Sequence, residues 1–232
     1  MEGTSKPNLT LLQLLPAVKI GQGGQAMGIV ERREREKEEV RRRIMDAARE
    51  LFATEGYEKV TMRRIAEAIE YSPTTIYHHF EDKDDLVNAL CEEDFARLLA
   101  IFRSQLPPED PVEWIRQLGR AYARFGVENP NHYRFMFMTQ AKFEKVPEPS
   151  DSGQQSFGVL KEAVEKSIAL GRFRPGDAQE MAQVLWAGVH GVVALLITLQ
   201  CEHWPQGAPS ENLVDAVIEN GLRGFLKTPS EG

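Results

Sequence analysis

The sequence predicts an all-α protein built from a small N-terminal helical domain and a larger C-terminal one, and three observations predict it. Apolar residues recur at helical spacing along most of the chain, no window shows sustained strand alternation flanked by hairpin turns, and the periodic segments end at Gly, Pro or Ser. Composition agrees. A chain of 232 residues, 42% hydrophobic and 27% charged, can bury a core without disulfides or a structural metal.

Taken in order, residues 1–28 read as a disordered extension. The apolar run "LTLLQLLPAV" (9–18) is broken by Gln13 and Pro16 and followed by "GQGGQAMG", so it is weak as a signal peptide and too short to span a membrane. Met27 is an alternative to Met1 as the native start. Cys91 and Cys201 lie far apart in apolar helical surroundings, which argues against a disulfide framework or a zinc ribbon and points to the cytoplasm.

From Glu31 a charged stretch carries Val40, Ile44, Ala47, Ala48 and Leu51 on one helical face, and Gly56 stops it. Three short segments follow, each with a start signal. Thr61 caps "MRRIAEAIE", Ser72 with Pro73 opens "PTTIYHHF", and Asp82 caps "KDDLVNAL". Such short helices do not stand alone in water, so they must share a core of Leu51, Phe52, Ile65, Ala66, Ile69, Ile76 and Phe80. The pattern then runs on to Pro107 and Pro108 as a connecting helix. Further helices are expected at about 111–128, 130–142, 151–170, 177–203 and 210–227, with a mobile loop over 145–153 and no internal repeat. The expected domains are 29–85 and 86–232.

Two short helices joined by a tight turn, the second led by small hydroxyl residues, form a helix-turn-helix arrangement. Its second helix lays N-terminal side chains against base edges in the major groove. Here that helix is "PTTIYHHF", which carries no Asp, Glu, Lys or Arg, and Thr74 and Thr75 are short enough to touch a thymine methyl or a base acceptor. The chain has a net charge of −7, and residues 29–90 hold 12 Lys and Arg against 15 Asp and Glu. DNA contact must therefore rest on a few placed side chains, because a bulk basic field is absent.

The run from Arg41 to Leu90 resembles the DNA-binding domain of TetR-type transcriptional regulators. The matching pieces are Ala47-Ala48, Leu51-Phe52, Gly56, Thr61, Ile65-Ala66, Ser72, Tyr77, His79-Phe80, Lys83 and Leu86. The resemblance puts Thr61, Arg63 and Lys83 near phosphate or the groove edge, and Arg41 is a further candidate for a backbone phosphate contact. It puts Ser72, Pro73, Thr74 and Thr75 at the front of the recognition helix, with Tyr77 and His78 reaching phosphates. Arg41 to Arg43 also read as a solvated helix face. Two features depart from the family pattern: Glu70 stands where a turn glycine is usual, and Pro73-Thr74 replace the common small or basic pair.

Further on, "LWAGVHGVVALL" resembles the TetR subgroup whose C-terminal domain carries Trp, then His-Gly: Trp186, His190 and Gly191. That resemblance implies a homodimer through the last two helices. Ala187, Gly191 and Ala194 form a row of small residues that lets another helix approach closely. Trp114, Phe125, Tyr133, Phe137, Trp186 and His190 are the candidate lining for a small apolar or amphipathic effector, and Tyr133, Phe137 and His190 also read as ordinary core. Adjacent His78 and His79 point about 100° apart on a helix, which does not suit a shared metal. No catalytic residue, metal or cofactor is expected. The implied function is a DNA-binding regulator, most simply a homodimeric repressor released from a near-palindromic double-stranded operator by the effector. Its rivals are a helical enzyme using the aromatic cavity with His190 and a protein-interaction module.

Overall fold

The computed structural model describes residues 23–138, 151–199 and 212–227, so the expectations for 1–22, for most of the 145–153 loop and for Cys201 lie outside the described residues. By its contacts the chain divides into a unit up to Arg42 and a unit from Arg43 onward. The first unit is dominated by the front of α1 (Gly23–Glu55), where Arg32 and Glu36 pair at 3.4 Å on an exposed surface. The helix starts at Gly23, earlier than Glu31, so residues 23–28 of the expected extension are helical. Once a long helix is nucleated, each added residue gains a hydrogen bond for little further cost.

In the second unit a single 3₁₀ turn, Tyr57–Lys59, follows α1. Then come α2 (Met62–Ala68), α3 (Pro73–Tyr77) and α4 (Lys83–Ser104). Side-chain caps fix each start: Thr61 accepts from the Arg64 amide, Ser72 from Thr75 and Asp82 from Asp85. The end of α2 is a Schellman turn. Tyr71 donates to the Ala66 carbonyl at 3.0 Å and Glu70 to the Glu67 carbonyl at 3.3 Å, which forces Glu70 to φ 60°. Ile65, Ile76, Leu86 and Leu90, all at 0% exposure, close the core beneath these short helices.

The larger bundle consists of α5 (Pro111–Glu128), α6 (Pro130–Met138), α7 (Asp151–Ala169), α8 (Ala178–Thr198) and α9 (Leu213–Arg223). Asp151 to Gly153, where the expected loop overlaps the helix expected at 151–170, form the first turn of α7; Glu92 accepts from the amide and hydroxyl of Ser152 there. Asp110 and Asp177 cap α5 and α8. Gly126 lets α5, α6 and α8 meet: a Cβ there would lie 2.4 Å from Val193 and 2.8 Å from Tyr133. On α9, Arg116 of α5 grips Glu219 and Arg120 grips Asp215, both through short ion pairs.

No gap in packing separates residues 43–85 from those beyond 85. Arg49 of α1 is buried and donates to Asp94 of α4 at 2.9 Å, and Asp94 also bonds His132 of α6 at 2.7 Å. Phe52 of α1 stacks on Phe135 of α6, with centroids 5.6 Å apart and planes 11° from parallel.

Candidate DNA interface and effector cavity

Helix α3, where the recognition helix is expected, is anchored at some positions and exposed at others. Ile76 and, just beyond the helix, Phe80, four residues on, are buried and anchor it to the small core. Pro73, Thr74, Tyr77 and His78 are exposed, Tyr77 to 55% despite its apolar ring. An apolar ring held in water beside two polar side chains suits a surface that meets another molecule.

The other residues expected here divide into presenters and supporters. Arg63 stands 81% exposed at the front of α2, held by Glu67 at 3.1 Å. Thr61 is spent on its cap. Ser72 is likewise spent, and its hydroxyl is shared with Thr75 at 3.0 Å, so Thr75 braces the helix start more than it presents itself. Lys83 is drawn inward: its ammonium donates to the Tyr57 carbonyl and lies 3.7 Å from the centre of the Tyr57 ring. Burial there makes Lys83 easier to deprotonate than usual, against the pull of Glu58 and Asp84. As placed, Lys83 braces the turn between α1 and α2, which differs from the expected open phosphate contact. Arg41 lies in the first unit. Sequence reasoning missed the pairing of Arg43 with Tyr71, whose ring the guanidinium overlies at 5.3 Å and whose hydroxyl accepts from it at 3.4 Å. The triple arginine at 41–43 was the available signal, but spacing alone does not say which arginine turns toward the recognition helix.

Inside the larger bundle lies a cavity of about 450 Å³, within the usual range for small-ligand pockets. Among its described lining residues no Asp, Glu, Lys or Arg appears. Of the six expected lining residues, Phe137 and Trp186 reach it. Trp114 is a correction: it is buried elsewhere, with the Lys166 ammonium 4.9 Å from its ring. Phe125 is a second correction, being core packing at 1% exposure. Tyr133 and His190 stand one layer behind the wall, joined to lining residue Tyr122 in a triangle. Tyr133 and His190 Nδ1 are 2.7 Å apart, Tyr122 and Nδ1 3.0 Å, and the two hydroxyls 3.1 Å. Burial pushes the Tyr122 hydroxyl up to about 12 and makes His190 harder to protonate than usual, so all three groups are neutral near pH 7. Nothing in the letters hinted at Tyr122, because "AYARFG" reads as plain core. Phe95 and Phe102 were hidden in the same way by the connecting helix.

The profile described as bacterial regulatory proteins, tetR family, matches residues 44–90, and that described as tetracyclin repressor-like, C-terminal domain, matches 115–220. The chain belongs to the TetR family. Among curated relatives, the HTH-type transcriptional repressor Rv1474c of Mycobacterium tuberculosis is 42% identical over 84 residues, 32% of this chain and 45% of that protein. AcnR of Corynebacterium glutamicum, also an HTH-type transcriptional repressor, is 38% identical over the same shares. The chain thus matches less than half the length of these relatives. Among solved structures, a tetR-family regulatory protein from Rhodococcus RHA1 is 21% identical with a TM-score of 0.65, covering 82% of this chain and 98% of that one. PfmR from Thermus thermophilus is 23% identical with a TM-score of 0.59, covering 80% and 97%. These likenesses establish the TetR fold. The chain thus carries the TetR-type N-terminal domain, with α2 and α3 as the two helices of its helix-turn-helix, and the TetR-like C-terminal domain.

Proposed function

We propose that this regulator is a cytoplasmic homodimeric repressor, released from a near-palindromic operator when a small effector enters the cavity. The observation that carries the release mechanism is the double role of α6. Phe137 on that helix lines the cavity and Tyr133 joins the polar triangle behind it, while His132 bonds Asp94 in the Arg49 cluster and Phe135 stacks on Phe52 of the DNA-binding domain. An effector that repositions α6 therefore acts on both domains through packed side chains. Such an effector must favour one arrangement of α6, because equal affinity for both arrangements shifts nothing.

The homodimer rests on α8. This helix is long and apolar enough by composition to cross a membrane, yet its buried residues, among them Met181, Leu185 and Val189, mark it as a core helix on one side. On the other side Val184, Ala187, Gly188, Gly191 and Leu195 recur at spacings of three and four. Val184 is 51% exposed, Leu195 is 45% exposed, and a Cβ on Gly191 would meet nothing within 4 Å. A helix that is apolar all round needs cover on both sides, and a second copy of α8 and α9 supplies it. Two recognition helices would then read half-sites about 34–36 Å apart, or a multiple of that. The repressor reading also has the names of the curated relatives behind it.

Fluorescence anisotropy on the chain's own upstream DNA tests this function. A sequence-specific shift is expected, lost when Thr74, Tyr77 and His78 are changed to alanine, and effector and operator should weaken each other by the same factor. Unequal factors, or an undiminished shift in the triple variant, would overturn it.

A further inference from the structure

We propose that the effector is an uncharged molecule with an aromatic body, whose hydrogen-bond acceptor docks on the Tyr122 hydroxyl; this deepens the effector reading above and rests on it. Neutrality follows from the lining. None of its described residues carries a formal charge, and an ion buried without a partner loses its hydration for nothing in return. Among the described lining residues a carboxylate or phosphate would meet no lysine or arginine, and a lipophilic cation no carboxylate.

The polar lining residues divide by depth. Gln154, Gln179 and Gln183 line the cavity and are also exposed, so they stand where it opens to water. Ser156 is buried, but its hydroxyl already donates to the Ser152 carbonyl at 2.7 Å. Among the described lining residues, Tyr122, 5% exposed, is the hydroxyl left in the interior.

Proton counting shows how Tyr122 can serve a ligand. With Nδ1 of His190 as an acceptor, Tyr133 donates to it and Tyr122 donates to Tyr133, so both hydroxyl protons are used. With Nδ1 protonated and the ring still neutral, Nδ1 donates to the Tyr133 oxygen and Tyr133 donates to the His190 carbonyl at 3.3 Å, so Tyr133 is satisfied without the Tyr122 proton, which is free to turn to the cavity. Tyr122 is the one member of the triangle that lines the cavity, so a ligand acceptor takes this proton and selects the second tautomer.

The aromatic body follows from the rings around it. Phe95 meets Phe137 edge to face with centroids 5.5 Å apart, and Phe157 meets Trp186 edge to face at 6.4 Å. Both pairs line the cavity, offering a flat ring the offset and edge contacts aromatic groups prefer.

Calorimetry on the full chain without DNA tests this with four probes on one biphenyl body: 4-acetylbiphenyl, biphenyl-4-carboxylate, biphenyl-4-trimethylammonium and 4-ethylbiphenyl. The ketone is expected to bind at least about tenfold more tightly than either ion. Tyr122→Phe, with helix content and melting checked by circular dichroism, should weaken the ketone about fivefold and leave 4-ethylbiphenyl within about twofold. Either ion matching the ketone, no binding of the ketone to its solubility limit, or equal effects of Tyr122→Phe on ketone and hydrocarbon would overturn the proposal. The wild-type panel stands even if the variant fails to fold. A ketone that binds without releasing operator would count against the release mechanism alone, whereas an ion that binds the cavity as tightly as the ketone and releases operator would sink the effector class and leave release intact.

Discussion

Glu70 occupies a position that its neighbours assign to glycine, and the chain contains its own control. Both α2 and α7 end in the same two-bond turn. At α7, Arg172 donates to Ser167 at 2.8 Å and Gly171 to Ile168 at 3.0 Å, with Gly171 at φ 66°. At α2 the equivalent residue is Glu70 at φ 60°, where the Cβ crowds the following carbonyl at a cost of roughly 1–2 kcal/mol. Replacing Glu70 by glycine removes that cost but gives the unfolded chain about 0.4–1 kcal/mol of extra conformational freedom. The net expected gain is about 0.5–1 kcal/mol, or roughly 2–3 °C in melting temperature for a chain of this length. Gly171→Ala should move the other way by a similar amount, since a Cβ there meets nothing within 4 Å and only the backbone angle is at stake. Differential scanning calorimetry of the two variants decides it. If Glu70→Gly melts at or below the wild-type temperature while Gly171→Ala behaves as expected, the strain argument for the turn before the recognition helix is wrong.

Asp94→Asn leaves the buried Arg49 guanidinium with only Asp46 and Glu93, at 3.2 and 3.4 Å, so a loss of about 3 kcal/mol in urea unfolding is expected. The same variant should also shrink the mutual weakening of effector and operator, read by anisotropy. Gly126→Ala forces a methyl against Val193 and Tyr133 and should destabilise by about 1–3 kcal/mol in the same unfolding experiment, with near-ultraviolet dichroism changing as Tyr133 shifts. His190 gives a pH signature. Burial holds its folded pKa below the ordinary 6.5, so as pH falls below that value the unfolded chain binds the proton first and stability drops. Comparing urea midpoints of wild type and His190→Asn from pH 8 to 5 should show wild type losing more stability below about pH 6.5; parallel curves would refute this.

The DNA-binding half was legible because its signals are local. Caps at Thr61, Ser72 and Asp82 and the proline at 73 fix where short helices begin, and each side chain meets the amide its position implies. What could not be read was how far each polar group is already committed. Thr75 looks like a base reader in a string of letters, yet its hydroxyl is shared with Ser72. Lys83 looks like a phosphate contact, yet its charge is turned onto Tyr57. Such assignments depend on partners 3 or 26 residues away, and chain spacing does not report side-chain direction.

The cavity was harder to read for a different reason, and α6 shows it best. Apart from His132 and Arg134, its stretch "HYRFMF" is nearly uniform in character, so Tyr133, Phe135, Met136 and Phe137 pass equally well for core or pocket wall. In three dimensions the residues divide by their position around the helix. His132 and Phe135, three apart, face the Arg49 cluster and Phe52, whereas Tyr133 and Phe137, four apart, face the polar triangle and the cavity. One turn of helix thus presents two apolar faces to two different neighbours, which is why no amphipathic stripe marks it in the sequence. The same arrangement makes α6 sensitive to both. On the proposed release mechanism, rotating it to suit a ligand at Phe137 would disturb Phe135 against Phe52, because a packed helix cannot move one face and keep the other.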